Sequence, residues 1–285
     1  MAVFYKGQET LFRSAGHRIP AERRRSNMKV VIFAGGKGSR ISEESILRPK
    51  PMIEIGGKPI LWHIMKYYAA YGHREFILCL GYKGELIKEY FLNYFSHNSD
   101  LTVDMKNNKI QICNTCCEDF SVSLIDTGLE TMTAGRLKRV RKYIGNEPFM
   151  LTYGDGVADI DLDALVAFHK SKKCLATMTG VQPQSRFGIL DIDENDMVVT
   201  FQEKPKTENV WINGGFFVLE PGIFDHLHED ADEVMWERQP LEDICRNKQL
   251  AVYRHRGFWK CMDTLRDKIE LNEQWEKHPK WKIWE

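Results

Sequence analysis

The stretch from Met28 to Gly38, MKVVIFAGGKG, sets the fold of this chain. Lys29 to Phe33 is a short run rich in β-branched residues, and Ala34-Gly35-Gly36 stops it. A continuous apolar run that ends at glycines is typical of a strand buried inside a parallel sheet. We therefore predict a buried strand here, with the glycine turn at its carboxyl end.

Strand-like and helix-like segments alternate after this strand. Helical spacing at 60–72 is followed by the strand EFILCL at 75–80, and a later strand, Phe149 to Tyr153, ends in Gly154-Asp155-Gly156. After about residue 174 the pattern is richer in strands. This order predicts an α/β fold, a Rossmann-like doubly wound mixed sheet that is mostly parallel, with extra antiparallel strands in the C-terminal half. Both glycine turns then fall at carboxyl ends of strands, where such sheets bind ligands.

Residues 1–27 differ from the rest because they lack helical or alternating periodicity and end in Arg23-Arg24-Arg25. They also lack the continuous apolar stretch of a signal peptide. We interpret them as an N-terminal extension, either a disordered tail or the product of an upstream start codon. A basic arm that contacts a phosphate polymer is the alternative. Residues 28–285 are predicted to form the functional domain.

Composition narrows the class of protein. Lys plus Arg and Asp plus Glu both number 40, so no overall charge favours nucleic acid or an anionic membrane. No apolar run is long enough to span a bilayer. The seven cysteines form no regular framework, and only Cys113, Cys116 and Cys117 cluster. Unpaired thiols indicate a reducing compartment, so we expect a cytoplasmic protein.

The first glycine turn predicts a phosphate-binding loop. Glycines at 35, 36 and 38 allow backbone N–H groups to approach an anion closely. The turn does not fit the dinucleotide-binding pattern, because Ile41 replaces its third glycine, and it does not fit a P-loop, because Ser39 and Arg40 follow Gly38. An NAD-dependent dehydrogenase and a P-loop NTPase are therefore disfavoured.

A second cationic segment follows at Arg48-Pro49-Lys50-Pro51. Prolines on both sides stiffen the backbone and are expected to hold Lys50 in an extended segment. A rigid lysine, ten residues after Arg40 and beside a glycine turn, suits a polyphosphate.

The pair AGGKGSR and PKP resembles the signature of the sugar-1-phosphate nucleotidyltransferases, and the similarity extends from Met28 to Glu285. TYGDGVAD, FQEKPK and GFWKCMDTLRDK are most similar to the cytidylyltransferase branch. The resemblance implies CTP and glucose 1-phosphate as substrates, Mg²⁺ as the cofactor and a homo-oligomer. It also implies that Ala34, Gly35, Gly36, Lys37, Gly38 and Ser39 bind the nucleotide, that Arg40 neutralises the leaving pyrophosphate, and that Lys50 holds the sugar phosphate or the α-phosphate.

The resemblance further implies that Asp155 and Asp263 bind one Mg²⁺ between the nucleotide and the sugar phosphate. Phosphoryl chemistry needs such a hard cation, held by few carboxylates and the phosphates themselves. The residues alone leave other interpretations open. Asp155 is also suited to form a turn, and Asp263 is placed to cap the helix that begins near Leu265.

Sugar and base contacts follow from the same resemblance. Glu203 and Lys204 are expected to bind the sugar hydroxyls and the sugar phosphate, and Asn213-Gly214 to approach the sugar ring. Thr131 and Arg136 lie in the segment that forms the base pocket in relatives. We hypothesise that Arg136 donates to the cytosine ring or to the adjoining phosphates. The alternative places Arg136 on an exposed basic helix, RLKRVRK.

Two further alternatives concern function. A thymidylyl- or uridylyltransferase would use the same site for another base. A regulatory subunit that only binds nucleotide sugar would lose some of the charged residues, but this chain keeps Arg40, Lys50, Asp155 and Asp263.

Overall fold

A computed structural model describes residues 27–38, 41–115, 118–182, 189–194, 196–202 and 210–284. These residues form a mixed α/β fold. The strands are β1 (Val30–Phe33), β2 (Glu54–Ile55), β3 (Lys58–Pro59), β4 (Glu75–Leu80), β5 (Ser99–Asp104), β6 (Lys109–Thr115), β7 (Ser121–Asp126), β8 (Phe149–Tyr153), β9 (Gly156–Ala158), β10 (Ala176–Val181), β11 (Ile189–Ile192), β12 (Val198–Gln202), β13 (Ile212–Leu219), β14 (Leu250–His255) and β15 (Trp259–Cys261).

Helices connect these strands along the chain. They are α1 (Ser42–Ser45), α2 (Ile60–Ala70), α3 (Gly84–His97), α4 (Thr133–Ile144), α5 (Leu162–Lys172), α6 (Gln239–Arg246) and α7 (Leu265–Lys277), with short 3-10 turns at Lys50–Met52, Pro221–His226 and Ala231–Glu233. None of the helices in the described ranges is both long enough and apolar enough to cross a bilayer.

The central sheet has seven strands in the order β14-β10-β13-β8-β1-β4-β7. Neighbouring strands run parallel except on the two sides of β13, which is antiparallel to β10 and to β8. The prediction of a mostly parallel mixed sheet with antiparallel additions in the C-terminal half is therefore confirmed.

Strand β1 lies inside the sheet and supplies both layers of the core. Val30 and Ile32 pack with α2 on one face, while Val31 and Phe33 pack with α4 on the other. All of β1 is buried, as its unbroken apolar sequence predicted. The strand is paired on both sides, with β4 and with β8, so its carboxyl end opens between two neighbouring strand ends.

Two local predictions differ from the structure. Lys50 begins a 3-10 turn instead of lying in an extended segment, because only Pro49 before it is extended. Asp263 does not cap α7, since Thr264 takes that position and forms a reciprocal capping box with Asp267.

The C-terminal end of the chain packs tryptophans around a buried histidine of α2. His63 lies beside the rings of Trp62, Trp275, Trp281 and Trp284. The His63 Nε2 atom is 2.8 Å from the carbonyl oxygen of Ile55, and the Trp281 indole N–H donates to Nδ1 at 3.4 Å. A neutral ring with its proton on Nε2 satisfies both bonds. Burial lowers the pKa of His63 to about 4, despite backbone hydrogen bonds that act in the opposite direction.

We expect this histidine to make the fold sensitive to acid. The unfolded chain protonates His63 below its ordinary pKa of 6.5, whereas the folded chain does so only near 4. The contribution of His63 to the unfolding free energy should therefore be fully present above pH 6.5. It should be lost as the pH falls towards 4, which lowers the unfolding free energy by up to about 3 kcal/mol. Urea denaturation followed by tryptophan fluorescence across this range measures the loss. His63→Gln keeps a donor and an acceptor but does not titrate, so it should flatten the pH dependence. His97→Gln, at an exposed position, should not.

Candidate active site

The two glycine turns meet at the carboxyl ends of β1 and β8. Phe33 and Tyr153 are paired in the sheet, and the backbone N–H of Gly154 donates to the Phe33 carbonyl at 3.0 Å. A Cβ at Gly154 would lie 2.9 Å from the Phe33 oxygen and 3.0 Å from Cγ of Pro51. Glycine is therefore required there, because the second turn packs directly against the first strand and against the Pro-Lys-Pro segment.

Backbone hydrogen bonds hold the first glycine turn on one side, and its other side is open. The Ala34 N–H donates to the Cys79 carbonyl at 3.0 Å, and the Gly35 carbonyl accepts from the Tyr82 N–H at 3.1 Å. Gly36 and Lys37 are exposed, and nothing lies within 4 Å of where a Cβ at Gly36 would stand. The turn thus presents backbone to open space at the sheet edge, as a phosphate-binding loop requires.

The pairing of β15 with β9 brings the two predicted metal ligands together. Cys261 lies opposite Gly156, and the Met262 N–H donates to the Asp155 carbonyl at 2.8 Å. Asp155 and Asp263, one on each side of this short ribbon, consequently face the same space. The structure therefore brings these two aspartates together.

Lys50 lies between these two carboxylates. Its Nζ atom is 2.6 Å from Oδ2 of Asp155 and 2.6 Å from Oδ1 of Asp263. Only 10% of the lysine side chain is exposed, and the two aspartate side chains are 25% and 15% exposed. Burial alone would lower the pKa of Lys50, but the charge of Asp155 and the hydrogen bonds to both aspartates outweigh it, so the pKa lies above its ordinary value.

The same residues fit a divalent cation. One oxygen from each aspartate and Sγ of Cys261 lie within 4.8 Å of one another. A pair of carboxylates that already converges on one positive charge can hold a hard cation whose remaining ligands are phosphate oxygens. Among the described residues, Asp155, Asp263 and Cys261 thus form a group that could hold a metal.

Asp263 is fixed in place by the start of α7. The buried carboxylate of Asp267 accepts from the backbone N–H groups of Asp263 at 3.1 Å and Thr264 at 2.8 Å. Lys260 bonds its other oxygen at 2.8 Å. Burial would raise the pKa of Asp267, but the hydrogen bonds from Lys260 and Thr264 prevail and lower it. The capping box therefore also orients a candidate metal ligand.

Arg136 is buried beneath the first glycine turn and is not on an exposed face. Only 4% of the residue is accessible. Its guanidinium donates to the carbonyls of Leu80 (2.9 Å), Gly35 (3.2 Å) and Leu129 (3.4 Å), and to the Thr127 hydroxyl (2.7 Å). A Cβ on Gly35 would lie 2.3 Å from Nη1. Arg136 thus ties the glycine turn to the ends of β4 and β7. Its role towards a base stays a prediction.

The predicted base-pocket segment lies beside the glycine turn. Thr131 is half-buried between β7 and α4. The neighbouring Glu130 forms an exposed ion pair with Lys37, with both of its oxygens 2.8 Å from Nζ. The pair links the turn to this segment, so the two predicted nucleotide-binding regions are adjacent.

Asn213 and Gly214 lie at the start of β13, next to β8. The Asn213 amide donates to the Tyr153 hydroxyl at 3.2 Å and accepts from the Gly215 N–H at 2.8 Å. The Gly214 carbonyl accepts from the Trp259 indole N–H at 2.7 Å. An amide has a second N–H and a second lone pair, so Asn213 keeps capacity to bind a hydroxyl group.

Tyr153 and Glu237 belong to the site although the sequence analysis did not identify them. The Tyr153 hydroxyl donates to Oε1 of Glu237 at 2.5 Å, and Thr133 donates to the other oxygen at 2.8 Å. Burial, together with the charge of Glu237, raises the pKa of Tyr153 far above its ordinary value. Its place directly before Gly154-Asp155-Gly156 was a usable signal for Tyr153, whereas nothing in the sequence around Glu237 marks it.

Four predicted site residues, Ser39, Arg40, Glu203 and Lys204, lie outside the described residues. Their assigned roles remain predictions.

Comparison with known proteins shows the family of this chain. The nucleotidyl transferase family model matches residues 29–278. Glucose-1-phosphate cytidylyltransferase of Salmonella typhi is 52% identical over 260 residues, which cover 90% of this chain and 100% of that protein. The probable glucose-1-phosphate cytidylyltransferase of Bacillus subtilis (strain 168) is 49% identical over 259 residues, with the same coverage. In a crystal structure, HddC from Yersinia pseudotuberculosis complexed with GMP-PN is 25% identical, with a TM-score of 0.62 over 87% of this chain and 99% of that chain.

Proposed function

This chain belongs to the nucleotidyl transferase family, and from that premise we propose that it transfers the cytidylyl group of CTP to glucose 1-phosphate, giving CDP-glucose and pyrophosphate. The choice of substrates rests on its similarity to the glucose-1-phosphate cytidylyltransferases of Salmonella and Bacillus. The observation that carries the chemistry is the position of Lys50 between Asp155 and Asp263, where the two glycine turns meet.

In this reaction a phosphate oxygen of glucose 1-phosphate attacks the α-phosphorus of CTP in line, and pyrophosphate leaves. The substrate supplies an ionised nucleophile, so the protein contributes positioning and charge neutralisation. Backbone N–H groups of the turn at 34–38 bind the triphosphate, and Arg40 neutralises the leaving pyrophosphate. Lys50 holds the α-phosphate or the sugar phosphate. Asp155 and Asp263 would hold Mg²⁺, which would supply neutralisation of phosphate charge.

The remaining contacts select the substrates. Glu203, Lys204, Asn213 and Gly214 bind glucose 1-phosphate. Thr131 and Arg136 are assigned to CTP, with Arg136 donating to the cytosine ring or to the adjoining phosphates. A donor near N3 favours cytosine, which accepts there, over uracil and thymine, which carry a hydrogen at N3. We also propose a homo-oligomer in the cytoplasm with residues 28–285 as the catalytic unit, so a chain that starts at Met28 should keep full activity.

A nucleotide panel tests the reaction. Purified protein is mixed with glucose 1-phosphate, Mg²⁺ and one of CTP, UTP, dTTP, ATP or GTP, and pyrophosphate release is followed together with chromatography of the nucleotide sugar. We expect CDP-glucose with CTP, at a kcat/KM at least tenfold above that with any other nucleotide. Faster turnover of UTP or dTTP would instead identify the uridylyl- or thymidylyltransferase alternative. Nucleotide-sugar binding without turnover would indicate a regulatory subunit.

Glu237 should affect the sugar side of this reaction through Tyr153 and Asn213. Glu237→Ala removes the acceptor of the Tyr153 hydroxyl and one partner of Thr133. Since one such bond contributes about 1 kcal/mol, we expect the KM for glucose 1-phosphate to rise about five- to tenfold, with a smaller change in kcat. Steady-state kinetics with each substrate varied measures this split. Glu233→Ala, an exposed acidic residue nearby, should leave both constants unchanged. A KM effect confined to CTP would contradict the assignment.

A further inference from the structure

The ammonium group of Lys50 stands where a metal ion held by Asp155 and Asp263 would have to bind. It contacts one oxygen of each aspartate at 2.6 Å and is almost completely enclosed. A cation coordinated by the same two oxygens and the Lys50 ammonium cannot share this space, since both need direct contact with the carboxylates. The two charges also repel each other strongly at such short range.

The backbone of Lys50 is fixed, while its side chain starts beside the first glycine turn. Pro49 and Pro51 flank the residue, and the 3-10 turn holds its main chain. Its Cβ lies against the first glycine turn, 3.3 Å from where a Cβ on Gly38 would stand. The lysine stem is flexible and carries a point charge. The ammonium can therefore exchange two carboxylates for phosphate oxygens at the turn without any movement of the main chain.

We propose that Lys50 is the resident counter-ion of the metal site, so that the site takes a metal–nucleotide complex and excludes the free divalent cation. This inference rests on the proposed function, which places a triphosphate at the turn. Without nucleotide, the ammonium neutralises part of the charge of Asp155 and Asp263 and competes with the metal. When a triphosphate arrives with its cation, Lys50 moves to the phosphates and the two carboxylates receive the metal. Metal and nucleotide thus bind cooperatively, and Lys50 is the residue that couples them.

Mn²⁺ binding measures this coupling without any turnover. The free ion is counted by electron paramagnetic resonance, and its dissociation constant is determined by calorimetry, with and without a non-reactive CTP analogue. For the unchanged protein we expect weak binding of Mn²⁺ alone, and affinity at least tenfold higher with the analogue. Lys50→Met removes the competing charge and keeps most of the stem. It should bind Mn²⁺ alone at least tenfold more tightly than the unchanged protein, and gain much less from the analogue.

Three controls make the result specific. Lys170→Met removes an exposed lysine of α5, which has no assigned role in the site, and should leave Mn²⁺ binding unchanged. Lys50→Arg keeps the charge and should keep binding of the free ion weak. Asp263→Asn, combined with Lys50→Met, should abolish the gained affinity and so locate the site. Near-ultraviolet circular dichroism checks that the variants are folded. If Lys50→Met is not folded, saturating Mn²⁺ should restore its native spectrum. Saturating Mn²⁺ should not restore the spectrum of any other unfolded variant.

The inference is overturned if Lys50→Met binds Mn²⁺ alone no more tightly than the unchanged protein, or if Lys170→Met produces the same gain. Either outcome leaves the nucleotide panel unaffected. Conversely, a panel with no cytidylyl transfer rejects the proposed function, while the Mn²⁺ titration without nucleotide still reports whether lysine and metal compete.

Discussion

Asp155→Asn should lower the turnover of CTP and glucose 1-phosphate by a factor on the order of 10² to 10³, at saturating substrates and a low, fixed Mg²⁺ concentration. The substitution keeps the shape of the side chain but removes one of the two charges that meet at Lys50. A hard cation binds carboxylate oxygen far better than amide oxygen, and the transition state then lacks charge neutralisation that positioning alone does not replace.

Pyrophosphate release in the steady state measures this loss. Asp163→Asn is a matched control, because Asp163 is an exposed aspartate at the start of α5 and should retain full activity. Raising Mg²⁺ should restore part of the rate in Asp155→Asn, since the weakened site still has Asp263. Near-normal kcat at low Mg²⁺ would remove Asp155 from the metal site.

Arg136→Ala should reduce the unfolding free energy by about 3 to 5 kcal/mol. The guanidinium is the shared donor to carbonyls of Gly35, Leu80 and Leu129 and to the Thr127 hydroxyl. Truncation removes one donor from each of these oxygens, although the Gly35 and Leu80 carbonyls keep their bonds from the N–H groups of Tyr82 and Thr127, and it opens a cavity under the glycine turn. Arg136→Lys restores the charge but not the planar fork, so we expect it to recover only part of the stability.

Urea denaturation of the two variants tests this, with Arg141→Ala as the control on the exposed face of the same helix. The lysine variant also distinguishes a structural role of Arg136 from a role in recognising the base. If Arg136 contacts the base, folded Arg136→Lys should lose preference for CTP over UTP. If the ratio of kcat/KM for the two nucleotides is unchanged, the role of Arg136 is limited to holding the turn.

The sheet was predictable because its strands carry uninterrupted apolar runs. Strands β4 and β8 begin and end at the residues that the sequence indicated, Glu75–Leu80 and Phe149–Tyr153. The short ribbon of β9 and β15 was not predictable, since three-residue strands contain too little periodicity. That ribbon nevertheless joins Asp155 to Asp263. Their convergence could therefore be expected only from the family resemblance.

The details around the site were less predictable for a different reason. Whether Asp263 or Thr264 caps α7 depends on which side chain reaches the N–H of Asp267, and adjacent polar residues give the same sequence signal. The alternative that placed Arg136 on an exposed helix is wrong. Helical spacing does not reveal that Gly35 and Gly81, which follow β1 and β4, leave room for a guanidinium. Glu237 contacts the site only through the tertiary hydrogen bonds from Tyr153 and Thr133.

The ion triplet at the sheet edge has a consequence for biosynthesis. Lys50 and Asp155 are separated by 105 positions, and Lys50 and Asp263 by 213. Lys50 therefore leaves the ribosomal exit tunnel long before Asp263 does. The ion triplet consequently cannot close before residue 263 has left the exit tunnel, and a chain that stops before this residue lacks the second carboxylate.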